Sequence, residues 1–208
     1  MSERFLSFDD LLDAFFQDAA AESELQRRYA TRAAVLVVDF DGMVRRTDAE
    51  GIGYALALSR AAERAMRPAI EARAGQVVKR VADTFIAVLP DPVSALAAAL
   101  ESLGAMRAFN ASRTGTIGDR SRNDPIRPCM GLGYGDLLVI PGVDVYGEEA
   151  NRAFVLGEDV ADGGELLVTS QFLEALGELP PGIGAQHAPH ERESDVGFAW
   201  HVVQDFRA

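Results

Sequence analysis

Apolar residues in this chain follow two patterns, unbroken runs and helix-like repeats. Residues 32–39 are almost all apolar and fill both strand parities, so we expect a strand whose two faces are both covered. Residues 76–81 and 84–89 predict two antiparallel strands joined by a tight turn at Ala82-Asp83. Residues 48–73 repeat apolar side chains at helical spacing, which predicts one long helix.

The rest of the chain alternates similar segments. Two prolines, Pro90 and Pro92, end the second strand of the hairpin, and Pro92 suits the first turn of an alanine-rich helix. Helices are expected at 7–29, 93–109, 147–160 and 170–176, strands at 126–140, 165–169 and 198–203, and a polar loop at 110–128. This order predicts an α+β fold with helices packed on a mixed, mainly antiparallel sheet.

Charge and composition exclude several classes of function. The net charge is −12 over 208 residues, which opposes nonspecific binding to nucleic acid polymers and to anionic membranes. The net charge still permits binding of a single nucleotide whose negative phosphate charge is neutralised by a bound metal ion. Cys129 is the single cysteine, so no internal disulfide can form. No apolar run reaches the ~18 residues of a membrane span, and no secretory signal begins the chain. We therefore expect a soluble cytoplasmic protein.

Two aspartates carry the candidate chemistry. Asp39 closes the first apolar run, and Asp83 lies in the predicted hairpin, four residues after Lys79. Two hard carboxylates beside a cation favour Mg²⁺ or Mn²⁺ and a phosphate-bearing substrate. The alternative is that Asp39 caps a turn and Asp83 is only a hairpin residue. Lys79 shares strand parity with Val77 and Val81, which predicts that it points to a mostly apolar face and needs a partner or a ligand there.

Five motifs occur in a characteristic order between residues 32 and 176. They are Asp39-Phe40-Asp41-Gly42, Lys79-Arg80-Val81-Ala82-Asp83, the proline-bounded helix from Pro92, the glycine-rich run Gly131-Leu132-Gly133-Tyr134-Gly135-Asp136, and Asp144-Val145-Tyr146-Gly147 with Asn151 four residues beyond. This series resembles the catalytic domain of class III adenylate and guanylate cyclases. The family has a glycine at the position of Ala82. The resemblance implies a ferredoxin-like, palm-type sheet.

The resemblance also implies roles for individual residues. Asp39 and Asp83, with the backbone carbonyl of Phe40, would bind two Mg²⁺ or Mn²⁺ ions. Lys79 and Asp144 would read the purine edge. An aspartate accepts from the adenine 6-amino group and disfavours the guanine oxygen, so the pair favours ATP over GTP. The alternative for this pair is a surface salt bridge.

A ribose-orienting asparagine is implied at Asn151, with a helix residue bonded to a nearby carbonyl as the alternative. The family then expects an arginine four residues later, but this chain has Val155, and Phe154 is large for its position. Losing such a charge donor costs roughly 10²–10³ in rate. Whether Arg152 or a loop arginine, Arg113 or Arg122, substitutes for it stays open at this point.

The family builds its active site between two subunits, and this chain carries both sets of residues. A homodimer with two sites is therefore implied. We assign residues 1–30 to an N-terminal helical extension that serves docking or dimer contact, and residues 31–208 to the cyclase homology domain. The leading hypothesis is a slow adenylate cyclase. The second is a degenerate domain that binds nucleotide or a signalling partner, and a heterodimer with another cyclase chain is a further possibility.

Overall fold

The computed structural model describes residues 7–113, 116–117, 120–121, 125–189 and 196–206. The helices are α1 (Phe8–Ala14), α2 (Ala19–Tyr29), α3 (Met43–Glu50), α4 (Ile52–Glu71), α5 (Pro92–Ser112), α6 (Glu148–Val155) with a π-helical turn (Leu156–Val160), and α7 (Ser170–Leu176). The strands are β1 (Ala30–Phe40), β2 (Gln76–Val81), β3 (Thr84–Leu89), β4 (Thr116–Ile117), β5 (Arg120–Ser121), β6 (Pro128–Ile140), β7 (Asp144–Tyr146), β8 (Leu166–Thr169), β9 (Ile183–His187) and β10 (Trp200–Asp205).

The main sheet has the strand order β2-β3-β1-β6-β8-β10-β9, and β7 pairs with β6. Strands β6 and β8 are parallel, whereas the other pairs in this sheet are antiparallel. The α+β prediction with a mainly antiparallel sheet is thus confirmed. Among the described residues, none of the helices is both long and apolar enough to cross a bilayer.

Strand β1 lies between β3 and β6, and residues 33–38 are buried on both faces, as the apolar run predicts. Leu36 and Val38 pack with residues of α4 and α5 on one face. Val35 and Val37 pack with Ala153 of α6 on the other, which we call the α6 face. Because packing on both faces fixes the middle of β1, the strand gives Asp39 near its C-terminal end a defined position.

Helix α6 approaches β6 so closely that only glycine fits beneath it. A methyl group on Gly131 would lie 2.1 Å from the carbonyl oxygen of Ala153, and one on Gly133 would lie 2.5 Å from that of Glu149. The alternating glycines of β6 thus let a helix backbone rest directly on a strand backbone.

Two segments that were each predicted as one continuous helix are each divided into two helices. The segment 48–73 contains a break at Gly51, whose φ of +88° ends α3 and begins α4. The segment 7–29 divides into α1 and α2, and the Asp18 side chain caps the second helix. Leu11 and Leu25 of this pair are buried with Leu138 of β6 against them. Strand β9 and the short pair β4–β5 were not predicted.

Candidate active site

Asp39 and Asp83 come together at one end of the sheet. Asp39 is the second-last residue of β1 and by strand alternation shares the α6 face with Val37, while Asp83 lies in the β2–β3 turn. Burial raises the pKa of Asp39 to about 6, and the negative charges of Asp83 and Glu158 contribute to the rise. Hydrogen bonds from the Phe40 backbone N–H and the Thr84 hydroxyl act in the opposite direction. The two predicted aspartates therefore interact electrostatically.

Glu158 is a third acidic residue at this site, and the sequence did not reveal it. Its carboxylate accepts a hydrogen bond from the buried Thr84 hydroxyl, whose one proton it shares with Oδ1 of Asp39 at 3.3 Å. Glu158 belongs to the π-helical turn after α6, and that turn sets its direction. Sequence spacing gave no signal for a contact over 74 residues that depends on such a turn.

Phe40 is the last residue of β1 and pairs only with β6, where Pro128 stands opposite it and has no N–H to donate. Pairing between β1 and β3 ends at Val38. The Phe40 carbonyl and the two carboxylates are all hard oxygen donors, which is the chemistry that Mg²⁺ and Mn²⁺ prefer.

This donor set is small. Within the described residues, no group of three acidic, histidine or cysteine side chains is arranged to hold a metal ion by itself. Magnesium commonly takes only one or two carboxylates from a protein and completes its shell with water and substrate phosphate oxygens. The residues present fit such a shared site better than an all-protein cage.

Lys79 and Asp144 form an ion pair of 2.5 Å across the β2 and β7 strands. Both side chains are partly exposed, so a ligand can reach them. The predicted parity of Lys79 holds for Val81 but is wrong for Val77, because the β2–β3 register shifts between Val77 and Lys79. This one-residue bulge places Lys79 opposite Ile86, on the α6 face, instead of beside Val77.

Helix α6 carries the positions expected to act on ribose and phosphate. Asn151 is exposed, and Val155 is half-buried one helical turn later. Residues four apart share a helix face, so the two side chains project in similar directions. Phe154 is 38% exposed beside them. The valine brings no charge to this face.

The two alternative arginines that the structure describes, Arg152 and Arg113, both have other partners. Arg152 forms ion pairs with Glu148 and with Glu149, the latter at 2.8 Å, and its guanidinium lies over the Phe198 ring. The Glu148-to-Arg152 spacing of four residues could have signalled the first pair. Arg113 bonds the Tyr54 hydroxyl at 3.2 Å, on the α4–α5 side of the sheet. Arg122 lies outside the described residues.

Two clefts flank α3, near the turn after β1 and the β2–β3 turn. One, of about 360 Å³, is largely apolar and reaches Asp83 through Val44 and Leu56. The other, of about 900 Å³, opens at Gly42 and is lined by Arg45 and Arg127 and by Asp41 and Asp48. The cleft thus carries charges of both signs, and the sequence motifs did not single out its two arginines.

Cys129 is a structural residue. It pairs with Asp39 in the β1–β6 register and is buried. Burial raises the pKa of its thiol to about 12, and the charge of Asp39 adds to the effect. A thiol that stays protonated at neutral pH is a poor nucleophile.

Solved structures of nucleotide cyclases resemble this chain. An adenylate/guanylate cyclase/hydrolase from Silicibacter pomeroyi matches with a TM-score of 0.67 and 22% identity, over 84% of this chain and 95% of that one. The adenylyl cyclase CyaB from P. aeruginosa matches with a TM-score of 0.63 and 17% identity, over 85% and 96%. The guanylate cyclase domain of RhGC from Catenaria anguillulae gives 0.63 and 12%, over 86% and 97%.

These similarities are similarities of fold. No family model matches the chain, and no curated protein matches it. The chain has the palm-type fold of class III adenylyl and guanylyl cyclase catalytic domains. The neighbours include enzymes of both nucleotide specificities.

Proposed function

We propose that the protein is a nucleotidyl cyclase that converts ATP to 3′,5′-cyclic AMP and pyrophosphate at the interface of a homodimer. The observation that carries this proposal is the placement of Asp39 at the end of β1, beside the β2–β3 turn that contains Asp83. Burial makes the ionised form of a carboxylate less favourable, and a bound cation would stabilise that ionised form. The shared fold with adenylyl and guanylyl cyclases supports the same conclusion.

Asp39, Asp83 and the Phe40 carbonyl are the proposed ligands of two Mg²⁺ or Mn²⁺ ions. When bound, these ions would polarise the α-phosphate, lower the pKa of the ribose 3′-hydroxyl and neutralise the leaving pyrophosphate. Thr84 helps to orient the Asp39 carboxylate, since its hydroxyl lies 3.3 Å from Oδ1. Arg45 and Arg127 line a nearby cleft together with Asp41 and Asp48, and their guanidinium groups can donate hydrogen bonds to triphosphate oxygens.

Lys79 and Asp144 are the proposed adenine readers. Their ion pair is partly exposed, so the lysine can donate to a purine ring nitrogen while the aspartate accepts from the 6-amino group. A guanine oxygen facing that carboxylate would repel it, which favours ATP over GTP. Because Lys79 and Asp144 already pair with each other, their side chains are positioned side by side before a base binds.

Asn151 orients the ribose in this proposal, and Val155 makes the enzyme slow. The absence of a donor at position 155 costs roughly 10²–10³ in rate. Arg152 is held by Glu148 and Glu149 and does not compensate. In a homodimer, Asn151 of one subunit would serve the aspartates of its partner, so both sites are equivalent.

A second candidate function is a degenerate cyclase domain that binds nucleotide or a signalling partner without catalysis. The specific observation in its favour is that Val155 is uncharged while Arg152 is committed to two acidic neighbours. Ala82, with a φ of +51° where the related enzymes have glycine, is a second departure at the metal-bearing turn. A heterodimer with another cyclase chain that brings its own arginine is the related variant of this idea.

Product analysis with ATP or GTP and Mn²⁺ or Mg²⁺ tests the proposal. We expect slow cyclic AMP formation by the wild type, no product from Asp39→Ala, and a gain of about 10-fold or more in Val155→Arg. Val155→Met is the matched control, because it lengthens the side chain without adding charge and should not raise the rate.

The outcomes separate the two candidate functions. Cyclic AMP that depends on Asp39 supports the enzyme, and preferential cyclic GMP formation would contradict the adenine-reading role of Lys79 and Asp144. No cyclic product from either the wild type or Val155→Arg would refute an autonomous cyclase. Nucleotide binding by equilibrium dialysis would then test the non-catalytic alternative.

A further inference from the structure

The C-terminal edge of the sheet brings two histidines together. His187 of β9 and His201 of β10 are directly opposite each other in an antiparallel register. Directly opposite residues project from the same face of a sheet. Their imidazole centroids are 4.7 Å apart, with the ring planes at 80°. Neither histidine belongs to the proposed active site.

An oxygen atom lies near Nδ1 of each ring. Nδ1 of His187 lies 3.1 Å from the carbonyl oxygen of Ala188, and since a carbonyl only accepts, Nδ1 donates. Nδ1 of His201 lies 3.5 Å from the Ser170 hydroxyl. Neutral His187 therefore carries its lone pair on Nε2. The Ser170 hydroxyl can either donate or accept, and when Nδ1 of neutral His201 donates to it, Nε2 of His201 carries the lone pair as well. Metal-binding histidines characteristically donate their second ring nitrogen to such an oxygen.

The ring separation fits two imidazoles on one ion. With a metal–nitrogen distance of about 2.05 Å and about 1.2 Å from nitrogen to ring centre, two imidazoles at 90–109° around an ion have centroids about 4.6–5.3 Å apart. The observed 4.7 Å falls in that range. The antiparallel pairing of β9 with β10 also fixes both backbones in advance, so little ordering is needed on binding.

We infer that His187 and His201 form a two-histidine site for a late transition-metal ion of the Zn²⁺, Ni²⁺ or Cu²⁺ class. Two imidazole donors select these borderline ions over Mg²⁺, which prefers oxygen. The site ties β9 to β10 next to Trp200 and stabilises the folded chain when occupied. It is separate in residues and in ligand chemistry from the carboxylate site, and it does not depend on cyclase activity.

The single tryptophan offers a direct readout. Trp200 is buried next to His201 in sequence, and it is the chain's only tryptophan. Ni²⁺ is titrated into tag-free full-length protein while tryptophan fluorescence is recorded, and Zn²⁺ binding is followed by calorimetry. We expect saturable quenching at one ion per chain and a rise in Tm with Zn²⁺. Mg²⁺ should produce neither effect.

Matched variants decide whether the two histidines are the ligands. His187→Gln and His201→Gln should each weaken binding at least about 10-fold, the lower end of the loss seen when a metal's supporting shell is removed. His190→Gln changes the chain's third histidine, which lies outside the described residues, and should keep the wild-type affinity. Circular dichroism without metal checks that each variant folds. Wild-type affinity in His187→Gln or His201→Gln, or an equal loss in all three variants, overturns the inference.

Discussion

Asp39 should destabilise the folded protein at neutral pH, and Asp39→Asn should relieve this cost. Burial raises the pKa of Asp39 from 3.8 to about 6. At about 1.36 kcal/mol per pKa unit, the full shift corresponds to about 3 kcal/mol. The carboxylate is only partly shielded from solvent, so we expect about 1–2 kcal/mol after screening.

The sign follows from proton linkage. Below pH 3.8 the carboxyl is protonated in both the folded and the unfolded chain and costs nothing. Between pH 3.8 and about 6 the unfolded chain ionises first, so stability falls as the pH rises, and above pH 6 the whole penalty is present. Asp39→Asn removes the ionisation, while the amide oxygen can still accept one hydrogen bond.

Urea unfolding followed by Trp200 fluorescence measures the effect at pH 8 and pH 4, on either side of the isoelectric point near 4.7. Asp39→Asn should exceed the wild type by about 1–2 kcal/mol at pH 8 and by less than about 0.5 kcal/mol at pH 4. Mn²⁺ should narrow the difference at pH 8 by stabilising only the wild type. Asp159→Asn, at an exposed aspartate, is the control. An equal offset at both pH values, or a less stable variant at pH 8, would refute the reasoning.

Three further substitutions test the packing around the site by chemical unfolding. Glu63→Gln should cost about 1–3 kcal/mol, because this buried carboxylate bonds two partly exposed arginines of α4 and one of β2, whereas Glu71→Gln, at an exposed position, should cost less than about 0.5 kcal/mol. Ala82→Gly should gain about 0.5–1 kcal/mol, since φ is +51° there, and a loss would contradict the strain argument. Gly131→Ala should cost about 1–3 kcal/mol through its clash with α6, while Gly104→Ala in the open part of α5 should be stabilising.

Elements with local signals were predictable from the sequence. The apolar run of β1 and the turn at Ala82-Asp83 appear as predicted, and α5 begins at Pro92 with the Asp91 side chain as its cap. These features depend on residues within a few positions of one another. The break at Gly51 escaped prediction because apolar spacing continues on both sides of it.

The site was harder to predict because its geometry depends on irregular backbone. A single bulge moves Lys79 to the other face of β2, and nothing in the local sequence marks it. Glu158 reaches Thr84 only because the chain after α6 widens into a π-helical turn. The resemblance to a family pattern was enough to predict that Asp39 and Asp83 lie together. The residues that support them, Thr84 and Glu158, became visible only in the structure.

The glycines of β6 have an evolutionary consequence for α6. Main-chain atoms at Gly131 and Gly133 set the distance between α6 and β6, so the position of the helix does not depend on its exposed side chains. Exposed Asn151 can therefore be exchanged by mutation at little cost to folding, and half-buried Val155 at a moderate one. In a lineage with this architecture, the chemistry of the α6 surface can change while selection on the strand glycines keeps the scaffold unchanged.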